Sequence, residues 1–373
     1  MTSIGGAEMV DWNLAVATAT RLVRPGPDVS RDEARAVVAE LRRHAKASEQ
    51  HVRGFTRMGT DDIHDTPILV VDRPGWVRAN VAGFREVLKP LLDKMQERRG
   101  NTPGGAVFGA VGGKVTGVEL GMLLSFLSSR VLGQYETFAP ATRELPAGAK
   151  GGRLLLVAPN IVHVERELDV QPHDFRLWVC LHEETHRTQF TAVPWLRDHL
   201  EGEIQSFLGE TEVDPMTVLE RIREAAQSLA GGRPEGEEDD EGRSLVEIVQ
   251  TPAQREILAR LTAVMSLLEG HADFVMDGVG PDVVPSVAEI REKFQQRRAK
   301  GASRLDSALR KLLGLDAKLR QYRDGERFVR AVVEQVGMDG FNRVWTSPNT
   351  LPTKTEIAKP ADWVARVHRK PES

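Results

Sequence analysis

Apolar positions along this chain recur at helical spacing over most of its length. Asp11 to Val23 is amphipathic and stops at Pro25-Gly26-Pro27. Ser30-Arg31-Asp32-Glu33 has the S-x-x-E form of a capping box. The helix it opens reaches about Arg57, with Ala34, Val37, Val38, Leu41 and Ala45 on its apolar side. The same reading predicts helices over Trp76 to Met95, Leu120 to Leu132, Leu196 to Leu208, Pro215 to Leu229, Pro252 to Met276 and Lys318 to Val336. Ser286 to Leu313 reads as a basic helix pair, and a last short helix follows Pro348, Pro352 and Pro360, where the chain is expected to wrap over the surface.

Strand patterns are few. Arg153-Leu154-Leu155-Leu156-Val157 is short, continuous and apolar, the pattern of a buried strand. Thr66 to Asp72 is β-branched and reads as a strand or an extended connector, and Ile161 to Val164 as a second extended piece after Ala158-Pro159-Asn160. The expected fold is therefore mainly α with a few short β-strands: an N-terminal helical lobe over 1–150 and a second lobe over 151–373, integrated as one domain.

Gly105 and Gly109 are four apart, as are Gly113, Gly117 and Gly121, a spacing that lets two helices approach closely. It is not a phosphate loop, since Phe108 and Val115 stand where that loop needs Gly and Ser or Thr. Lys114, Glu119 and Arg130 interrupt the apolar run from Gly104 to Leu132, which argues against a membrane span. Gly231 to Gly242 holds six acidic residues and no large apolar side chain, the composition of a solvated loop.

The chemistry concentrates on the helix that opens at Pro172 with Asp174 in its first turn. It carries His182-Glu183-Glu184-Thr185-His186, an H-E-x-x-H motif. Residues four apart share a helix face, so both imidazoles can point at one metal ion, with Glu183 placed to act on a water beside it. Zinc with an activating carboxylate suits this arrangement, whereas a plain surface helix with stray histidines would give the same pattern by accident. A catalytic zinc needs a third protein ligand. The candidates lie in Leu268-Glu269-Gly270-His271-Ala272-Asp273. Glu269 and Asp273 are four apart and share a face; His271 falls about 200° round the helix from Glu269 and so belongs to another. Glu269 is the favoured ligand and His271 its rival, otherwise a supporting or core histidine, while Asp273 is suited to orient a ligand imidazole.

The 373 residues suffice for one large domain or two ordinary ones. A net charge of −4 gives no reason to expect nucleic-acid binding. Cys180 is the single cysteine, so neither an intrachain disulfide nor a Cys-rich zinc site is available; two residues before His182, it reads as core packing. Met1 to Val10 lacks the features of a signal peptide, which leads to a cytoplasmic expectation.

H-E-x-x-H followed by E-x-x-x-D resembles the thermolysin-like zincins, the gluzincins. Glu184, charged, departs from their preference for uncharged residues inside the motif. More of the chain is similar to the zincin-like metallopeptidases of actinobacteria and their relatives, sometimes labelled as associated with deazaflavin coenzyme biosynthesis. The stretches that carry this are Val71-Asp72-Arg73-Pro74-Gly75-Trp76, Arg130-Val131-Leu132-Gly133-Gln134-Tyr135, the His182 motif, Leu268 to Asp273, and Gln321-Tyr322-Arg323-Asp324-Gly325-Glu326-Arg327-Phe328. The resemblance implies a mostly helical Zn2+ hydrolase with an active-site helix. His182, His186 and Glu269 would bind the metal, Glu183 would be the general base and Asp273 would support a ligand. No deazaflavin-binding motif is visible. A zincin also needs a donor for the oxyanion; of the two tyrosines, Tyr135 and Tyr322, Tyr322 is in the more polar context. By analogy with zincins, Asn160 and His163 are candidates for an edge strand that holds substrate backbone. The expected partner is a peptide or small-molecule substrate, with no nucleic acid and no membrane. The competing readings are a zinc amidohydrolase acting on a small molecule and a non-catalytic helical binding protein that keeps the fold.

Overall fold

A computed structural model of the protein describes residues 10–59, 66–99, 105–139, 152–210, 251–300 and 315–369. The acidic run over 231–242, the helix expected over 215–229 and the end of the basic pair lie outside the described residues. The fold is mainly α with one three-stranded sheet. By packing, the chain divides into two compact units: Met1–Arg197 with Ala272–Arg297, and Asp198–His271 with Arg298–Ser373.

The first unit is built around β3 (Arg153–Val157). It lies between β1 (Ile68–Val71), which runs parallel to it, and β2 (Gly133–Glu136), which runs antiparallel. Leu154 to Val157 are fully buried, because helices cover both faces of the sheet. Leu155 and Val157 join a core with Trp12 and Ala19 of α1 (Trp12–Leu22), Trp76, Val77 and Val81 of α3 (Arg73–Arg99), and Leu124 of α4 (Gly105–Ser128). Leu156, on the opposite side of the pleat, joins Val37, Leu41 and Ala45 of α2 (Arg31–Thr56), Ile161 and Val164 of α5 (Ala158–Leu168), and Phe175, Trp178 and Leu181 of α6 (Pro172–Ala192). A continuous apolar strand is what burial on both faces requires.

The expected helix starts are present. Asp11 Oδ1 accepts the Leu14 N–H at 2.9 Å, and Ser30 Oγ accepts the Glu33 N–H at 3.1 Å. The glycine spacing of α4 brings it hard against α1: a Cβ on Gly117 would sit 2.6 Å from the Asp11 carbonyl oxygen, and one on Gly121 2.7 Å from that of Ala15. One expectation is corrected. Ile161 to Val164 is helical, part of α5, because Pro159 opens a helix and Ile161, Val162, Val164 and Leu168 then present one buried side. On α4, Val118 and Met122 are exposed.

In the second unit, helix Leu315–Phe341 is broken at Gly337, whose φ of 72° suits glycine. Gly270, on helix α8 (Pro252–Val279, with α7 at Pro194–Gly209 before it), abuts the Gly325 backbone of that helix, and neither position has room for a Cβ. The C-terminal segment does not wrap the surface as expected. Trp363, on Pro360–His368, is fully buried and its Nε1–H donates to the Thr350 carbonyl at 2.8 Å. Its indole is large enough to serve as core where aromatic residues are scarce.

One buried polar node ties four segments of the first unit together. Asn160, at the start of α5, accepts from Arg73 Nε at 2.6 Å and donates to the Ser128 and Val131 carbonyls, each at 2.7 Å. Arg73 Nη1 donates to the carbonyls of Arg24 and Pro25. Asn160 is therefore a clamp and not a substrate-strand residue; His163 is exposed on α5, 3.9 Å from Glu167. Asn160→Ala would strand a buried guanidinium N–H and two carbonyls. It is expected to cost about 3 kcal/mol in urea unfolding, and a loss below ~1 kcal/mol would contradict the clamp.

Candidate metal centre

Helix α6 begins with Pro172 and runs between the sheet and α2. Along it, twelve residues from Phe175 to Gln189 are buried, including Glu183 and Glu184, so the motif is not on a solvent face. His182 and His186, half-buried, turn their Nε2 atoms towards each other at 3.2 Å with the rings perpendicular. Two ligands about 2.05 Å from one zinc at tetrahedral angles lie about 3.3 Å apart, so this pair matches the spacing that zinc requires.

The far ring nitrogens have acceptors beside them. His186 Nδ1 lies 3.0 Å from Gln189 Oε1, and His182 Nδ1 lies 3.1 Å from Met276 Sδ, a weak acceptor. These contacts suit the tautomer protonated at Nδ1, the form in which an imidazole offers Nε2 to a metal. Gln189 and Met276 were not among the expected residues. A signal for Gln189 was present, since it follows His186 by three on the same helix face. Met276 follows Glu269 by seven, two turns along α8.

One ligand atom each from His182, His186 and Glu269 lies within 4.8 Å of the others. α8 is continuous from Glu269 through Met276, so the helix that supplies the Met276 contact also carries the carboxylate. Two imidazoles and a carboxylate are a zinc donor set. His271, the rival, is fully buried, with its ring 5.3 Å from Phe341 and 5.5 Å from Trp345. Asp273 follows Glu269 by one turn on α8.

Glu183 is held by β2. The pleat puts Gly133 and Tyr135 on the side of β2 that faces α6, and Gln134 and Glu136 on the side that faces α3. A Cβ on Gly133 would lie 2.5 Å from Glu183 Cγ and 2.8 Å from its Oε1. The carboxylate side chain thus fills the space where a side chain at 133 would be. The strand is pinned from the other face: Trp76 Nε1 donates to Gln134 Oε1 at 2.9 Å, and Gln134 Nε2 donates to Asn80 Oδ1 at 3.0 Å.

Glu184, the charged residue inside the motif, faces away from the histidines. It is buried beside Arg187, 3.2 Å from its Nη1, and that guanidinium also donates from Nε to Thr66. Burial pushes the Glu184 carboxyl up to about 8, with Arg187 pulling the other way. Glu184 therefore belongs to the packing of α6. Cys180 is core, as expected: its thiol is buried, points at the Leu41 carbonyl and is pushed well above its usual pKa by burial. Tyr135 stacks on Phe190 at 5.5 Å and burial raises its phenol to about 12, so it remains protonated. Tyr322 lies on helix Leu315–Phe341; its side chain is outside the described residues.

Residues 10–364 match the family of zincin-like metallopeptidases. The chain is also similar to a protein from Chloroflexus aurantiacus whose crystal structure is described as that of a proposed hydrolase with a novel fold. The two are 30% identical, the match covers 97% of this chain and 99% of the other, and the TM-score is 0.67. No curated protein matches the chain. The family and the structural neighbour both support a hydrolase.

The Gly133 contact generates a test. Gly133→Ala must push the Glu183 side chain aside or lift β2 from α6. A displacement of about 1 Å at a reacting group can cost about 100-fold in rate. The variant is expected to keep its metal and lose hydrolysis by about that factor; wild-type turnover in a folded Gly133→Ala protein would refute the positioning role.

Proposed function

The chain belongs to the zincin-like metallopeptidases, and on that premise we propose that it is a zinc-dependent peptidase that hydrolyses an amide bond by Glu183-assisted attack of water. The observation that carries this reading is the convergence of His182 Nε2, His186 Nε2 and a Glu269 oxygen, next to a Glu183 side chain fixed against Gly133. His182 and His186 act as neutral imidazole ligands and Glu269 as the third ligand. A zinc ion held there supplies Lewis acidity towards a carbonyl oxygen and makes water more acidic.

The chain's own residues supply the rest. Glu183 orients the attacking water, accepts its proton and delivers it to the leaving amine. Gln189 and Met276 keep the ligand imidazoles in the Nδ1–H form, and Asp273 supports a ligand ring from one turn beyond Glu269. Tyr322 is the assigned donor to the developing oxyanion. A peptide substrate is favoured over a small molecule by β2. Among the described strands β2 pairs with β3 alone and is an edge strand of the sheet, the position at which an added strand would pair. An extended peptide paired there runs past Glu183 at Gly133.

Metal analysis and turnover test this together. Wild type is expected to carry zinc that His186→Ala loses from this centre. Glu183→Gln is expected to keep the metal and lose peptide hydrolysis ~100- to 10,000-fold, the range of general acid–base catalysis. Equal turnover of a peptide library by wild type and Glu183→Gln would remove the assigned base.

A further inference from the structure

Helix α6 carries a third histidine, His173, at its start, and α2 lays a pair of side chains beside it. Glu40 and His44 are four apart on α2 and share a face. His173 is in the first turn of α6. One ligand atom from each of the three lies within 4.8 Å of the others. His173 precedes His182 by nine residues, roughly 14 Å along the helix, so this cluster is separate from the one described above.

His44 supplies the independent observation. It is 8% exposed, and its buried Nε2 has no hydrogen-bond partner. That nitrogen is 3.3 Å from Glu40 Oε1, but the two would form an ion pair only if the ring were protonated. That nitrogen faces a carboxylate oxygen of Glu40 and the ring of His173, whose centre is 4.7 Å away at 89°. A buried nitrogen left in that state is costly unless a ligand meets it.

We propose that Glu40, His44 and His173 hold a second divalent cation of the zinc class, which ties α2 to the first turn of the metal-binding helix. Two imidazoles and one carboxylate form the same donor set as His182, His186 and Glu269, with a fourth position open on the exposed His173 side. Glu40 uses its other oxygen for Arg176, which also binds both oxygens of Glu165. His173 Nδ1 lies 3.3 Å from Asp174 Oδ1, so the His173 proton is held there and its Nε2 is left for a cation. The positive end of α6, Arg176 and the more distant Arg43 oppose a cation, and the carboxylates of Glu40, Glu165 and Asp174 offset them.

The full-length protein is loaded with zinc, desalted and analysed for metal. The test variant is His173→Ala, because that side chain is 65% exposed and its loss leaves the core intact. Expected are two zinc ions per wild-type chain, one in His173→Ala, one in His186→Ala and none in the double variant. Zinc is also expected to raise the melting temperature of His186→Ala but not that of the double variant. If wild type binds one ion that His173→Ala loses and His186→Ala keeps, the second site stands and the zinc assignment under Proposed function falls. If His173→Ala holds as much zinc as wild type, or if zinc raises the melting temperature of the double variant as much as that of His186→Ala, the second site is refuted.

Discussion

The contact on which the rest of the first unit depends is the approach of β2 to α6 at Gly133. Glu183 is buried and fixed there because a strand backbone without a side chain closes over its methylene groups. The approach is possible only because β2 is paired to β3, which places Gly133 opposite Leu156 on the side of the pleat that faces α6. A one-residue slip in that register would put Gln134 against Glu183 and turn the strand inside out.

The register is defended from the other face of the sheet. Gln134 accepts from the Trp76 indole and donates to Asn80, both on α3, and Arg153 pairs with Glu136 at the next inward position. Arg73, three residues before Trp76, binds Asn160 at the junction of β3 and α5. The two stretches Val71 to Trp76 and Arg130 to Tyr135 therefore form one supporting structure: the first anchors the second, and the second holds Glu183. Their polar groups are buried but paired, the condition under which such groups fix a single arrangement instead of weakening it.

The surroundings of α6 explain its unusual composition. A helix between a sheet and α2 is expected to be apolar on both sides, yet Glu184, Arg187 and Gln189 are buried on it. Glu184 and Arg187 are paired with each other and Gln189 with His186, so each charge or amide has a partner that belongs to the same helix. Pairs of this kind contribute little net stability, and Arg187 also lies 3.6 Å from a Glu49 oxygen on α2. The charged residue that looked out of place within H-E-x-x-H is thus part of the buried packing of α6.

Much of this was legible in the chain. The helical period, the Ser30 box and the short apolar run at Leu154 to Val157 determine the class of fold, because they depend on local geometry and on burial patterns that repeat every few residues. H-E-x-x-H and E-x-x-x-D put two imidazoles on one helix face and two carboxylates on another, because four-residue spacing is itself a statement about one helix face. Local pattern left three matters open, and the tertiary structure decided each. Ile161 to Val164 was too short to tell strand from helix until Pro159 and the packing of α5 settled it. The surroundings of Glu269 and His271 were likewise not readable: one ligand atom of Glu269 lies within 4.8 Å of one from each motif histidine, and the His271 ring lies 5.3 Å from Phe341 and 5.5 Å from Trp345. The roles of Gly133, Gln189, Met276 and Glu184 depend on which surfaces meet across long stretches of sequence, and no periodicity along the chain records that.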